Sequence, residues 1–213
     1  MALSPVQVRI LGCMLEKERT TPDNYPLTMN GLLSACNQTS NRFPVVHLDE
    51  ATVENALQNL RAENLVRIVY SRSNRAEKFR HVLDEALGLD APDMALLAVL
   101  MLRGPQTSSE LRARTERLHR FEDQAEVDDG LRRLATRDEP LVALLERQPG
   151  QKENRWAQLL GGELPAGERA TPADAQGPSR ADRLTALEET VETLRQELSR
   201  LRAEHEALAA QLT

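Results

Sequence analysis

The chain has 213 residues, 40% hydrophobic and 28% charged, with 27 Lys and Arg against 33 Asp and Glu, for a net charge of -6. That length admits one large domain or two small ones, and the composition predicts a folded, soluble protein. The aromatic residues (Phe43, Phe79, Phe121, Tyr25, Tyr70 and Trp156) are too few for a platform that stacks single-stranded bases, and the net charge supplies no global field toward DNA or an anionic membrane.

The start, Met-Ala-Leu-Ser-Pro, lacks the basic and apolar blocks of a secretory signal, and no run of about 18 apolar residues occurs. A cytoplasmic protein without a membrane partner is the expectation. Cys13 and Cys36 have neither Cys-x-x-Cys spacing nor a His cluster nearby, so they read as small buried hydrophobes, with no metal and no cofactor expected.

Along the chain, Val6 to Glu18 and Thr28 to Asn37 read as helices separated by the Pro-rich turn Thr21 to Pro26. Val53, Leu57 and Leu60 recur at i, i+4 and i+7, which predicts a third helix with one buried face. An apolar run from Leu65 to Tyr70, a polar turn at Ser71 to Arg75 and a second run around Phe79 then predict a hairpin. The same order returns downstream. Asp93 to Leu102 and Ser108 to Arg114 read as helices, with Gly104-Pro105 ending one and Thr107 or Ser108 capping the next. Val127, Leu131 and Leu134 repeat the spacing of the earlier third helix, and strand-like runs follow at Leu141 to Leu145 and around Trp156. Three helices and a hairpin describe a winged helix. The fold class predicted is therefore mostly α with small β-hairpins (α+β): two tandem winged-helix domains at 1–84 and 90–160.

Residues 161–180 are rich in Gly, Pro and Ala and read as a linker. Beyond it Leu184, Leu187, Val191, Leu194, Leu198, Leu201, His205 and Leu208 alternate steps of three and four, the a and d positions of a coiled coil over 181–213. In a parallel pair, Arg183 would face Glu188 and Glu197 would face Arg202, signs that favour a homodimer. His205 is the polar interruption at an a position.

No Gly-rich nucleotide loop, Gly-x-Ser-x-Gly or His-Glu-x-x-His is present, and His47, His81 and His119 fall in different elements, so an enzyme is not expected. An enzyme would need a pocket where polar groups converge around Asn30, Asn37 and Arg42. For DNA, the third helix of the first unit turns Asn55, Gln58 and Asn59 outward, amides that suit adenine edges, although Asp49, Glu50, Glu54 and Glu63 flank them. Arg72, Arg75, Lys78 and Arg80, with Arg67, concentrate cations on the first hairpin, where a wing meets the minor groove or the phosphates. The equivalent helix of the second unit opens with acidic residues and is the poorer reader. Residues 1–82 carry 10 basic and 8 acidic residues, so cationic character is confined to the first unit.

The density of Asn, Gln, Ser and Thr in 20–30 and 35–42 exceeds what a plain helix-turn-helix needs. Asn30, Asn37, Gln38, Asn41 and Arg42 are either helix caps and turn closures or an interaction surface. Three stretches (Leu11 to Leu27, Ala35-Cys36-Asn37-Gln38-Thr39-Ser40-Asn41-Arg42, and Leu102-Arg103-Gly104-Pro105-Gln106-Thr107) resemble the YceH family of uncharacterised bacterial proteins over about residues 5–160. The resemblance implies a tandem winged-helix fold in a bacterial cytosolic protein and carries over no catalytic residue or ligand. One departure is the first wing, where Ser73-Asn74-Arg75 stands in place of an expected glycine. Two functions fit these features: a regulator binding duplex DNA, or an adaptor whose winged helices dock a protein partner.

Overall fold

The computed structural model describes residues 2–70, 76–147 and 151–162. The first half contributes α1 (Pro5–Thr20), β1 (Leu27–Thr28), α2 (Met29–Cys36), α3 (Glu50–Ala62), β2 (Val66–Val69) and β3 (Lys78–His81). A short α4 (Leu83–Leu87) leads into α5 (Ala91–Arg103), α6 (Ser108–Thr115), α7 (Gln124–Ala135), β4 (Val142–Leu144) and β5 (Trp156–Gln158). The chain is thus α-helical with small antiparallel sheets. The order of helices and strands is the one read from the sequence, with β1 and α4 added. The expected linker and heptad segment, Leu184 to Leu208 included, lie outside the described residues, as do Arg72, Asn74 and Arg75.

Local chemistry sets the helix starts. Ser4 accepts from the Gln7 amide while its own amide donates to Gln7 Oε1, a reciprocal cap, and Thr107 and Glu110 repeat the device at α6. Thr28, Asp49, Asp90 and Asp123 cap α2, α3, α5 and α7. Gly104, at φ 71°, ends α5 as its position before Pro105 suggests.

The core is built on two helices buried on all sides. Every residue from Gln7 to Leu15 in α1 and from Asp93 to Leu102 in α5 is buried. They press together at Gly12, where a Cβ would lie 3.0 Å from Leu102 Cγ and 3.1 Å from Met101 Cβ. On another side of α5, a Cβ on Gly130 of α7 would sit 2.9 Å from Leu96 Cδ1. The Leu3 amide also donates to the Leu160 carbonyl at 2.7 Å, tying the start of the first half to the end of the second. The described residues of both halves accordingly form one compact unit.

The amphipathic helices bury the expected faces: Val53, Leu57 and Leu60 of α3, and Val127, Leu131 and Leu134 of α7. The first sheet has the order β1-β3-β2, all antiparallel, with Leu27 opposite Phe79 and Val66 opposite His81. β4 and β5 form the second, extended by a bridge from Gln106 to Trp156. Cys13 and Cys36 are both fully buried thiols.

Candidate interaction site

The polar stretch between α2 and α3 is a loop anchored by hydrogen bonds, although most of its residues are exposed. Arg42 is its keystone. The Arg42 side chain is 0% exposed; it donates through Nη1 and Nη2 to the two carboxylate oxygens of Glu16 at 3.0 and 2.6 Å, and through Nε to the Ala35 carbonyl at 3.1 Å. A buried guanidinium requires such multiple acceptors, because losing water without them is costly. Burial acts to raise the Glu16 carboxyl, but hydrogen bonding and charge from Arg42, helped by Lys17, hold it below the ordinary glutamate range.

Arg9, buried in the middle of α1, supports the loop from beneath. Its guanidinium donates to the carbonyls of Cys36 and Pro44, so a helix side chain fixes both the end of α2 and the loop tip. The Asn37 side chain clamps the far arm, donating to the Leu48 carbonyl at 2.8 Å and accepting from the Leu48 amide at 2.7 Å. Gln38 accepts from Lys17 Nζ at 3.2 Å. Asn41 turns the chain at φ 60°, a conformation asparagine tolerates, and accepts from Arg103 Nη2. The Phe43 amide completes the anchorage by donating to the Leu102 carbonyl at 2.7 Å.

Of the residues read as an interaction surface, Asn37, Gln38, Asn41 and Arg42 are therefore brought together as the frame of this loop. Asn30 lies elsewhere, exposed near the start of α2. It lines a cleft of about 410 Å³ together with Gln58, Glu50, Glu54, Arg61 and Glu77. Neither Asn37 nor Arg42 lines that cleft, so these three groups do not converge. Beside the exposed Thr39, Ser40 and Asn41, the frame presents to solvent the apolar Phe43-Pro44-Val45, all three exposed. Sequence reasoning passed over this tip, although an apolar run, Phe43 to Val46, inside a polar stretch is a readable signal.

The residues read as DNA contacts are distributed differently. Asn55, Gln58 and Asn59 are exposed on α3, interleaved with the exposed Glu50, Glu54 and Glu63 and preceded by the capping Asp49. Arg80 and Arg67 both turn to Glu85, at 2.9 and 2.8 Å, so one carboxylate holds two of the expected wing cations. Lys78 is half-buried in β3 opposite Val69.

Histidines take structural places in the two halves. The His81 ring is buried in β3; its Nδ1 accepts from the Leu83 amide at 3.3 Å, which leaves Nε2 to donate to Glu18 at 3.1 Å. The Tyr25 hydroxyl accepts from the His81 amide at 2.9 Å, and burial pushes that phenol well above its ordinary range. His119 sits edge-on to Phe121 between α6 and α7. Among the described residues no cluster of His, Cys, Asp or Glu is arranged to hold a metal ion, and no helix is long and apolar enough to cross a membrane.

Comparison with known proteins agrees with the sequence resemblance. A family model described as "Protein of unknown function, DUF480" matches residues 3–151. The chain belongs to this family. A UPF0502 protein of Pelobacter propionicus is 47% identical over 207 residues, covering 95% of this chain and 94% of its own. A UPF0502 protein of Geobacter sulfurreducens is 49% identical over 197 residues, covering 90% of each, and one of Solibacter usitatus is 46% identical over 205, covering 96% and 98%. YceH is a member of the same bacterial DUF480/UPF0502 family, and the stretches at 11–27, 35–42 and 102–107 fall within the matched residues.

Proposed function

We propose that this DUF480 protein is an adaptor: two winged-helix units, 1–84 and 90–160, joined as one body and docking other proteins. The repeated order of three helices and a hairpin supports the winged-helix reading. The heptad register over 181–213 supports a coiled coil that pairs two copies.

The electrostatics of α3 carry the choice of an adaptor. The helix that would enter a major groove shows solvent Glu50, Glu54 and Glu63 beside Arg61, with Asp49 at its start, and Arg67 and Arg80 on the adjacent hairpin are engaged by Glu85. Carboxylates at that face repel phosphates, whereas protein partners tolerate or exploit them. A second reading, duplex binding, draws support from the exposed amides of Asn55, Gln58 and Asn59. Of its remaining cations, Lys78 is half-buried in β3, and Arg72 and Arg75 lie outside the described residues.

Fluorescence anisotropy of the full-length protein against fragmented genomic duplex, at low and at physiological salt, separates the two. The adaptor reading expects no binding at physiological salt. Binding that persists there and concentrates on particular fragments would overturn it, and Ala substitution of Arg72, Arg75 and Lys78 would then flatten the salt dependence.

A further inference from the structure

The loop between α2 and α3 holds an apolar tip in water. Phe43 is 68% exposed and Val45 46%; with Tyr70 they are the exposed large hydrophobic side chains among the described residues. Isolated exposed apolar residues are ordinary on a protein surface. Here, however, the fold commits buried charge to keep them there. Arg9 and Arg42 are both buried, one gripping the Pro44 carbonyl and the other tying the residue before Phe43 to Glu16 and the Ala35 carbonyl, while the Phe43 backbone is bound to Leu102. A collapsed loop would cover Phe43 without burying two guanidinium groups. The anchored one presents a preformed tip that loses little conformational entropy when it binds.

The surroundings of the tip are cationic, although the whole chain carries -6. Arg9, Lys17, Arg42 and Arg103 each bond the loop or the carboxylate of Glu16 beneath it, and Glu16 directly engages Lys17 and Arg42. Arg103, next to the glycine over which the Phe43 ring lies, bonds a neutral oxygen of Asn41. Burial first, and then the like charge of Arg114, lowers its pKa. An anionic group brought to this place would relieve that crowding.

We propose that the Phe43-Pro44-Val45 tip and the Arg103 guanidinium group beside it form a docking site for a segment of a partner protein that is both acidic and apolar. This deepens the adaptor reading and rests on it. The apolar tip inserts between the partner's hydrophobic side chains, and Arg103 meets its carboxylates, giving a desolvated centre with a charged rim.

The test places a photoreactive benzoyl derivative of phenylalanine at position 43 of the full-length chain in host cells, with the cross-linked peptide identified by mass spectrometry. Capture of a segment of another protein rich in Asp, Glu and apolar residues, reduced at least tenfold by Arg103→Glu, is the expected result. That segment, made as a synthetic peptide, should bind Phe43→Ser at least tenfold more weakly at an unchanged thermal midpoint. Capture of this chain's own sequence, of nucleic acid, of lipid, of a basic or neutral peptide, or of nothing, overturns the proposal. So does a capture indifferent to Arg103→Glu. The same derivative at position 55 on α3 separates the two levels of the argument. A protein captured from 55 but none from 43 removes this docking site and leaves the adaptor reading standing, whereas specific duplex binding in the anisotropy titration removes the adaptor reading itself.

Discussion

Arg42 and Glu16 meet through two parallel hydrogen bonds, 3.0 and 2.6 Å, with the Arg42 side chain fully buried and the Glu16 side chain 14% exposed. This pair joins α1 to the loop that carries Phe43, and it is the place where the core and the candidate docking site become one structure. Removing one partner of a buried pair strands the other charge. Glu16→Ala is therefore expected to lower stability by about 3–5 kcal/mol, measured by chemical denaturation.

The same pair sets a pH dependence. The folded-state value of Glu16 lies below its ordinary 4.5, so its contribution is fully present above 4.5 and is lost as pH falls through the lower folded value. Acid titration of stability should show a steeper fall below pH 4.5 in the parent protein than in Glu16→Gln, which has no carboxyl to protonate. Parallel acid limbs in the two proteins would contradict this assignment.

Gly12 is where α1 and α5 approach most tightly, and its neighbours there are Leu102 Cγ and Met101 Cβ, atoms close to the backbone that cannot swing aside. Gly12→Val should cost about 1–3 kcal/mol through overpacking, visible as a lowered denaturation midpoint. At Gly130 the obstructing atom is the far end of the Leu96 side chain, which yields by a small shift more readily than atoms beside the backbone, and alanine is the better helix former. Gly130→Ala is expected to lose less than Gly12→Val.

Tyr25 supplies the acceptor for the His81 amide in a part-buried setting. Tyr25→Phe removes the oxygen and leaves the amide without it, an expected loss of about 1–3 kcal/mol at neutral pH. Hydrogen exchange should localise the effect, with faster exchange at the His81 amide.

Asn37 replaces both backbone partners that Leu48 would otherwise seek in water. Asn37→Ala should raise the exchange rate of the Leu48 amide and loosen the loop while leaving α5 and α7 protected. Uniformly faster exchange across all helices would instead mean that the clamp supports the whole fold.

The element order was legible from local signals. Spacing of i, i+4 and i+7 in Val53-Leu57-Leu60 and Val127-Leu131-Leu134 is a property of one helix at a time, as are the Thr107 cap and the Gly104 stop, and each is found where the pattern puts it. Outward placement of Asn55, Gln58 and Asn59 follows from the same 100° geometry. What those amides bind is a separate question, which the anisotropy titration addresses.

Other features depend on residues far apart in the chain, and no local pattern encodes them. β1 is two residues long and exists because β3 pairs with it across about fifty intervening residues. Arg9 reads in sequence as an unexceptional polar residue on an amphipathic helix, yet it is buried because α5 covers the other side of α1, and its charge is satisfied only by carbonyls that the loop brings back. The polar residues 37–42 have two readings from sequence, caps and turn closures or a recognition surface, and local chemistry favours the first without naming the partners. Tertiary structure turns Asn37, Gln38, Asn41 and Arg42 into a frame, because their partners, Leu48, Lys17, Arg103 and Glu16, come from other segments. By itself, then, the sequence determined the helices, their caps and their buried faces, since these are set by spacing within one element. The packing of α1 on α5 and the exposure of Phe43 and Val45 were decided only in three dimensions, where the burial of one residue is a consequence of which others fold over it.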